Sequence, residues 1–116
     1  MTSAGARSLA RWVWFDIPVG TVLPEEFLFR GIVDEVATAV VGPDAALVAG
    51  SVAFGVWHWP GSNRSVPVVL VTTAAGALFV LARRRTGTLL APMALHWAAN
   101  ATGAVAATWW QRRVED

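Results

Sequence analysis

The sequence predicts an all-α integral membrane protein: a four-helix core bundle behind a short N-terminal lead-in. Two observations predict it. Of 116 residues, 55% are hydrophobic and only 15% charged, whereas an ordinary soluble domain carries roughly a quarter of its residues as charges. The charges are also unevenly placed, since residues 45–63, 65–82 and 86–111 contain no Asp, Glu, Lys or Arg. A bilayer core of about 30 Å requires about 20 apolar residues as helix, with a working range of about 17 to 25. An amphipathic soluble helix would instead place charges along its outer face. The expectation is a multi-pass protein of the cell membrane, with the lipid bilayer as its first partner.

Each element has a start and a stop. Ile17, Pro18 and Gly20 make the segment 12–22 a short or kinked lead-in. Pro24 suits the first turn of a helix over 22–42, and Gly42-Pro43 ends it. A second helix over 44–59 closes at Pro60-Gly61-Ser62-Asn63, a third covers 65–82 before a turn at Arg83 to Gly87, and a fourth covers 88–110. The division is a lead-in over 1–21, a transmembrane core over 22–110 and a polar tail over 111–116. No repeat or second domain is visible. A signal peptide is not expected, because Arg7 and Arg11 precede an aromatic run broken by Asp16 and Pro18.

Composition also excludes whole classes. Without cysteine there is neither a disulfide-stapled module nor a Cys-based zinc finger. Nine basic residues against eight acidic ones leave no uncompensated basic face for nucleic acid. Alternating spans put Trp12, Trp14, Trp57, Trp59, Trp109 and Trp110 at one membrane face, where tryptophan prefers to lie. Arginines fall on both faces, Arg83 to Arg85 opposing Arg7, Arg11, Arg64, Arg112 and Arg113, so orientation stays open. Small residues mark expected helix contacts: Ala49 with Ala53, Gly50 with Ser51 and Gly55, the Ala74 to Ala77 run, and Ala99 with Gly103.

Ionisable groups inside apolar helices are costly, and they mark function by default. Glu25 and Glu26 are adjacent, and Arg30 lies one turn beyond Glu26 where the two can pair. Glu25 is rotated about 100° away and lacks that partner. Both histidines are intramembrane: His58 at the end of the second helix, one turn after Phe54, and His96 in the fourth, one turn before Asn100. With Glu25 in the first turn of its helix, these groups can meet near one face. A glutamate, two histidines and an asparagine could activate a water and stabilise an oxyanion. Glu25, His58 and His96 could equally hold a divalent metal such as Zn. A purely structural role for Phe54, as core packing, and for the glutamates, as acids in a helical first turn, is the competing reading.

Glu25-Glu26-x-x-x-Arg30, Phe54-x-x-x-His58 and His96-x-x-x-Asn100 occur in that order, each on an apolar helix. Together they resemble the three signature motifs of the CPBP family, the CAAX-protease and bacteriocin-processing (Abi) intramembrane proteases, over about residues 23–103. The resemblance implies an all-α membrane endopeptidase cutting peptide or protein substrates near the membrane surface. Its family positions imply Glu25 as the water-activating glutamate, Glu26 and Arg30 as a supporting pair, and His58, His96 and Asn100 as the remaining active-site groups. Both metalloprotease and metal-free glutamate mechanisms are attached to the family. Family members commonly carry further helices before the signature, so the short lead-in implies a fragment or a minimal form that needs self-association. A non-catalytic scaffold or bacteriocin-immunity protein is the alternative, and a proton-coupled carrier a third.

Overall fold

The computed structural model describes residues 8–116. Helix α1 covers residues 9–41 without interruption, α-helical over Leu9–Arg11, Leu23–Glu26 and Asp34–Val41 and wider, π-helical, over Trp12–Val22 and Phe27–Val33. Helices α2 (Pro43–Trp57), α3 (Val66–Thr86) and α4 (Leu90–Glu115) follow, and no strand occurs among the described residues.

The segment expected to stand apart as a lead-in is therefore continuous with the first core helix. Its Pro18 has no N–H, which breaks an ordinary helical ladder. In the π register each carbonyl meets the N–H five residues on, as Pro18 O does with the Leu23 N–H. The carbonyl that Pro18 leaves open in this register is that of Val13, and the Trp97 indole N–H of α4 donates to it at 2.8 Å. A long-range bond thus repairs the local defect. Glu25 consequently lies midway along a helix and not in a first turn.

The bundle has two apolar cores. Val13, Ile17 and Val22 of α1 pack on Ala101 and Ala104 of α4, with Trp97 and Met93 beside them. Deeper in the chain, Phe29 of α1 meets Phe54 of α2 and Phe79 of α3. By helical rise, α2 is about 22 Å long, α3 about 32 Å and α4 about 39 Å, and the first half of α1 packs on α4. Gly42, at a φ of 86°, joins α1 to α2.

Helix α3 runs through the arginines expected to form a turn and stops at Gly87, in the left-handed region at a φ of 72°. Cations in a last turn complement the helix dipole. Arg84 is further held by Asp34, with nitrogen–oxygen distances of 2.8 and 3.4 Å. The expected polar tail is also helical, to Glu115.

Around these cores the outer surface is apolar, with Leu70, Val71, Val48 and Leu78 all more than half exposed. Among the described residues one helix, Val66–Thr86, is long and apolar enough to cross a membrane, and only 17% of its most apolar window is buried in the bundle. The other two charge-free stretches fall short for separate reasons. Residues 45–63 contribute only to the 15-residue α2, and α4 is diluted by Pro92, His96, Asn100, Thr102 and Gly103.

Small residues decide one helix contact. A Cβ on Gly55 would lie 2.8 Å from the Val69 carbonyl and collide with Thr73, whereas one on Gly50 or Gly103 would meet nothing within 4 Å. The expected Gly50 and Gly103 contacts are thus absent, and α2 closes on α3 at Gly55. Gly55→Ala is expected to destabilise the bundle by about 1–3 kcal/mol, while Gly50→Ala leaves it unchanged or slightly more stable. Thermal unfolding in detergent measures the difference.

Candidate active site

Glu26 and Arg30, one helical turn apart on α1, are 0% and 1% exposed. Arg30 Nη1 donates to Glu26 Oε1 at 3.2 Å, and Nη2 donates to the Gly76 carbonyl of α3 at 3.1 Å. The guanidinium lies over the Phe54 ring of α2, 4.1 Å from its centroid, and 5.0 Å from that of Phe79. From α4, His96 Nδ1 reaches the same Glu26 oxygen at 2.8 Å. One ion pair therefore touches all four helices. Gly76 makes room for it, since a Cβ there would sit 3.0 Å from Phe54 and 3.1 Å from Arg30.

Glu25, rotated round the same helix, points elsewhere. Its Oε1 is buried and has no hydrogen bond. It stands 3.8 Å from His58 Nε2 and 3.8 Å from His96 Nε2. Both separations are too long for a direct hydrogen bond and suit a water bridging the groups.

The other ring nitrogens fix the proton positions. His58 Nδ1 lies 2.7 Å from the Phe54 carbonyl, which can only accept, so Nδ1 carries the hydrogen. His96 Nδ1 faces a carboxylate already paired with Arg30, and the same assignment follows. In neutral imidazoles, both Nε2 atoms then present lone pairs towards Glu25. Phe79 stacks on His96, with centroids 5.1 Å apart and rings 21° from parallel, and Phe54 sets its edge against both histidines.

A cleft of about 390 Å³, lined by Glu25, His58, Trp57, Val68, Gly61 and Ser62, opens beside these atoms. The turn after α2 forms one wall. Ser62 Oγ donates to the Trp59 carbonyl and accepts the Ser65 N–H, and Asn63 and Arg64 adopt the left-handed conformation. The side chains of His58 and Glu25 are 26% and 17% exposed and that of His96 3%, so His58 and Glu25 line the cleft and His96 is buried behind them.

The sequence also left a metal open at Glu25, His58 and His96. Ligands of tetrahedral zinc at 2.0–2.1 Å lie about 3.4 Å from one another, closer than the 3.8 Å observed. Among the described residues no group of three or more His, Asp or Glu side chains is placed to hold a metal ion. As arranged, the three side chains do not fit one.

The structure thus brings together Glu25, Glu26, Arg30, Phe54, His58 and His96. Asn100 lies one turn beyond His96 on α4, half-buried, with no hydrogen bond to another described residue. Two participants had no sequence motif, Gly76 and Phe79. The Ala74 to Ala77 run signalled close packing at the first, and Phe79 follows three residues later on the same face.

Residues 7–102 match the family model described as type II CAAX prenyl endopeptidase Rce1-like. The chain belongs to that family. No curated protein and no solved structure matches it. Membership makes this CAAX-type protease a hydrolase of peptide bonds associated with the membrane.

The two glutamates differ in what their removal leaves behind. Glu26→Ala strands a buried guanidinium and is expected to cost about 3–5 kcal/mol, whereas Glu25→Ala removes no hydrogen bond. Unfolding midpoints of the two purified variants in detergent, set against the parent protein, check this.

Proposed function

We propose that this CAAX-type protease hydrolyses peptide bonds of membrane-associated substrates with a water held between Glu25, His58 and His96. The observation that supports it is the unpartnered, buried Oε1 of Glu25, equidistant from two imidazole Nε2 atoms at 3.8 Å. A water there donates one hydrogen to Glu25 and the other to His96 Nε2, which leaves an oxygen lone pair free for a carbonyl carbon in the cleft.

Glu25 takes the proton as the water oxygen bonds to the carbonyl carbon. Negative charge develops on the carbonyl oxygen. The Asn100 side-chain amide donates to that oxygen, with the His58 ring beside it at the cleft. The carbon–nitrogen bond then breaks, Glu25 returns its proton to the departing amine, and a new carboxyl end remains. Glu26 never meets substrate in this scheme. It holds the His96 tautomer that keeps Nε2 facing the water.

We further propose that the chain crosses the bilayer more than once, with α3 as a full span and α2 and α4 beside it. The exposed apolar surface supports this. Val48, Val52 and Val56 of α2 and Val105 of α4 face outward at 48–64% exposure, as side chains facing lipid would.

Cleavage of a membrane-anchored peptide reporter tests the chemistry. Glu25→Gln and His96→Ala are expected to lower kcat by about 10²- to 10⁴-fold, and Asn100→Ala by about 10²-fold, with helix content by circular dichroism retained in Glu25→Gln and Asn100→Ala. Undiminished cleavage by both Glu25→Gln and His96→Ala overturns the assignment.

A further inference from the structure

At the other end of α2 and α3 from the cleft, a cavity of about 490 Å³ has Arg30, Arg83 and Arg84 in its walls, together with Asp34, Thr38 and Glu35. The three guanidinium groups are committed to different degrees. Arg84 is the most committed, bound through Nε and Nη2 to Asp34 and through Nη2 to Thr38 Oγ1 at 3.4 Å and the Pro43 carbonyl at 3.0 Å. Arg30 uses both terminal nitrogens on Glu26 and Gly76, but its Nε is buried without a partner. Arg83 has a buried, unpartnered Nε as well, and no ion pair with any described residue. Unsatisfied buried donors are rare in folded proteins and call for an acceptor.

We propose that this cavity binds a phosphate group, with Arg83 as its principal ligand. A guanidinium offers N–H groups in a planar fork that matches phosphate oxygens. Arg84, locked to Asp34, shapes the wall without taking part. Exposed Glu35 disfavours a second negative charge, which selects a singly charged phosphodiester over a phosphate dianion. Position supports the same ligand. Arg83 lies in the last turn of α3, the helix long enough to span the bilayer, and arginines at that level meet anionic lipid headgroups.

The purified full-length chain in detergent, mixed with phosphatidylglycerol and observed by native mass spectrometry, tests the site. One phosphatidylglycerol is expected to remain bound per chain, with phosphatidylcholine retained at least tenfold less. Arg83→Gln is expected to weaken retention at least tenfold. Arg83→Lys, which keeps the charge and loses the fork, falls between, and Arg64→Gln at the opposite end behaves as the parent. Circular dichroism confirms that the variants remain helical. Displacement of the lipid by millimolar sodium phosphate assigns the site to free phosphate, and resistance to it assigns the site to a lipid headgroup. Equal retention of phosphatidylglycerol by the parent and Arg83→Gln overturns the proposal, as does equal retention of the two lipids by the parent.

Discussion

The buried ion pair between Glu26 and Arg30 is the interaction on which the rest of this molecule depends. In lipid, apolar surface gives helices little reason to associate, because acyl chains solvate leucine as well as another helix does. A charge pair inside an apolar bundle supplies that reason. Arg30 must find acceptors and aromatic faces, and these lie on three helices, at Glu26, Phe54, Gly76 and Phe79. Glu26 must find a second donor, and His96 brings the fourth. Desolvation makes such a pair a modest source of net stability. Its larger effect is to reject arrangements in which any one helix is misplaced.

Two adjacent glutamates divide the work because a helix turns about 100° per residue. The same turn that directs Glu26 into the ion pair directs Glu25 to a cleft where no protein group satisfies it. Glu26 accepts from both Arg30 and His96 at Oε1, with Oε2 buried and without a partner, whereas Glu25 makes no side-chain hydrogen bond. The histidines repeat the pattern within one ring each. Nδ1 is spent on the scaffold, on the Phe54 carbonyl or on Glu26, while Nε2 faces the cleft.

What was legible in the sequence was what is local. The α2–α3 turn followed from Pro60 to Asn63, and the pairing of Glu26 with Arg30 from a spacing of one helical turn. Contacts across large sequence separation were not legible, such as Arg30 on Gly76, 46 residues on, or Asp34 on Arg84, 50 residues on. The latter holds Arg84 where α3 runs on to Thr86, in place of the turn expected over Arg83 to Gly87. Pro18 was read as a break because its lost N–H is local, whereas Trp97, which compensates it, lies 84 residues from Val13. Absence of charge was also a weaker guide than apolarity itself. It marked three stretches as membrane-length, and one helix is long and apolar enough to qualify.

The hydrogen bond joining Glu26 to His96 closes a loop of 70 residues, and that separation bears on assembly. Helices α2 and α3 are sequence neighbours and can pair early, because short loops are cheap to close. His96 comes from near one end of the described chain and Glu25 from near the other. During synthesis, when the N-terminal part emerges first, Glu25 and Glu26 are made well before His96. Docking of α4 is then the step that sets the imidazole beside the two glutamates.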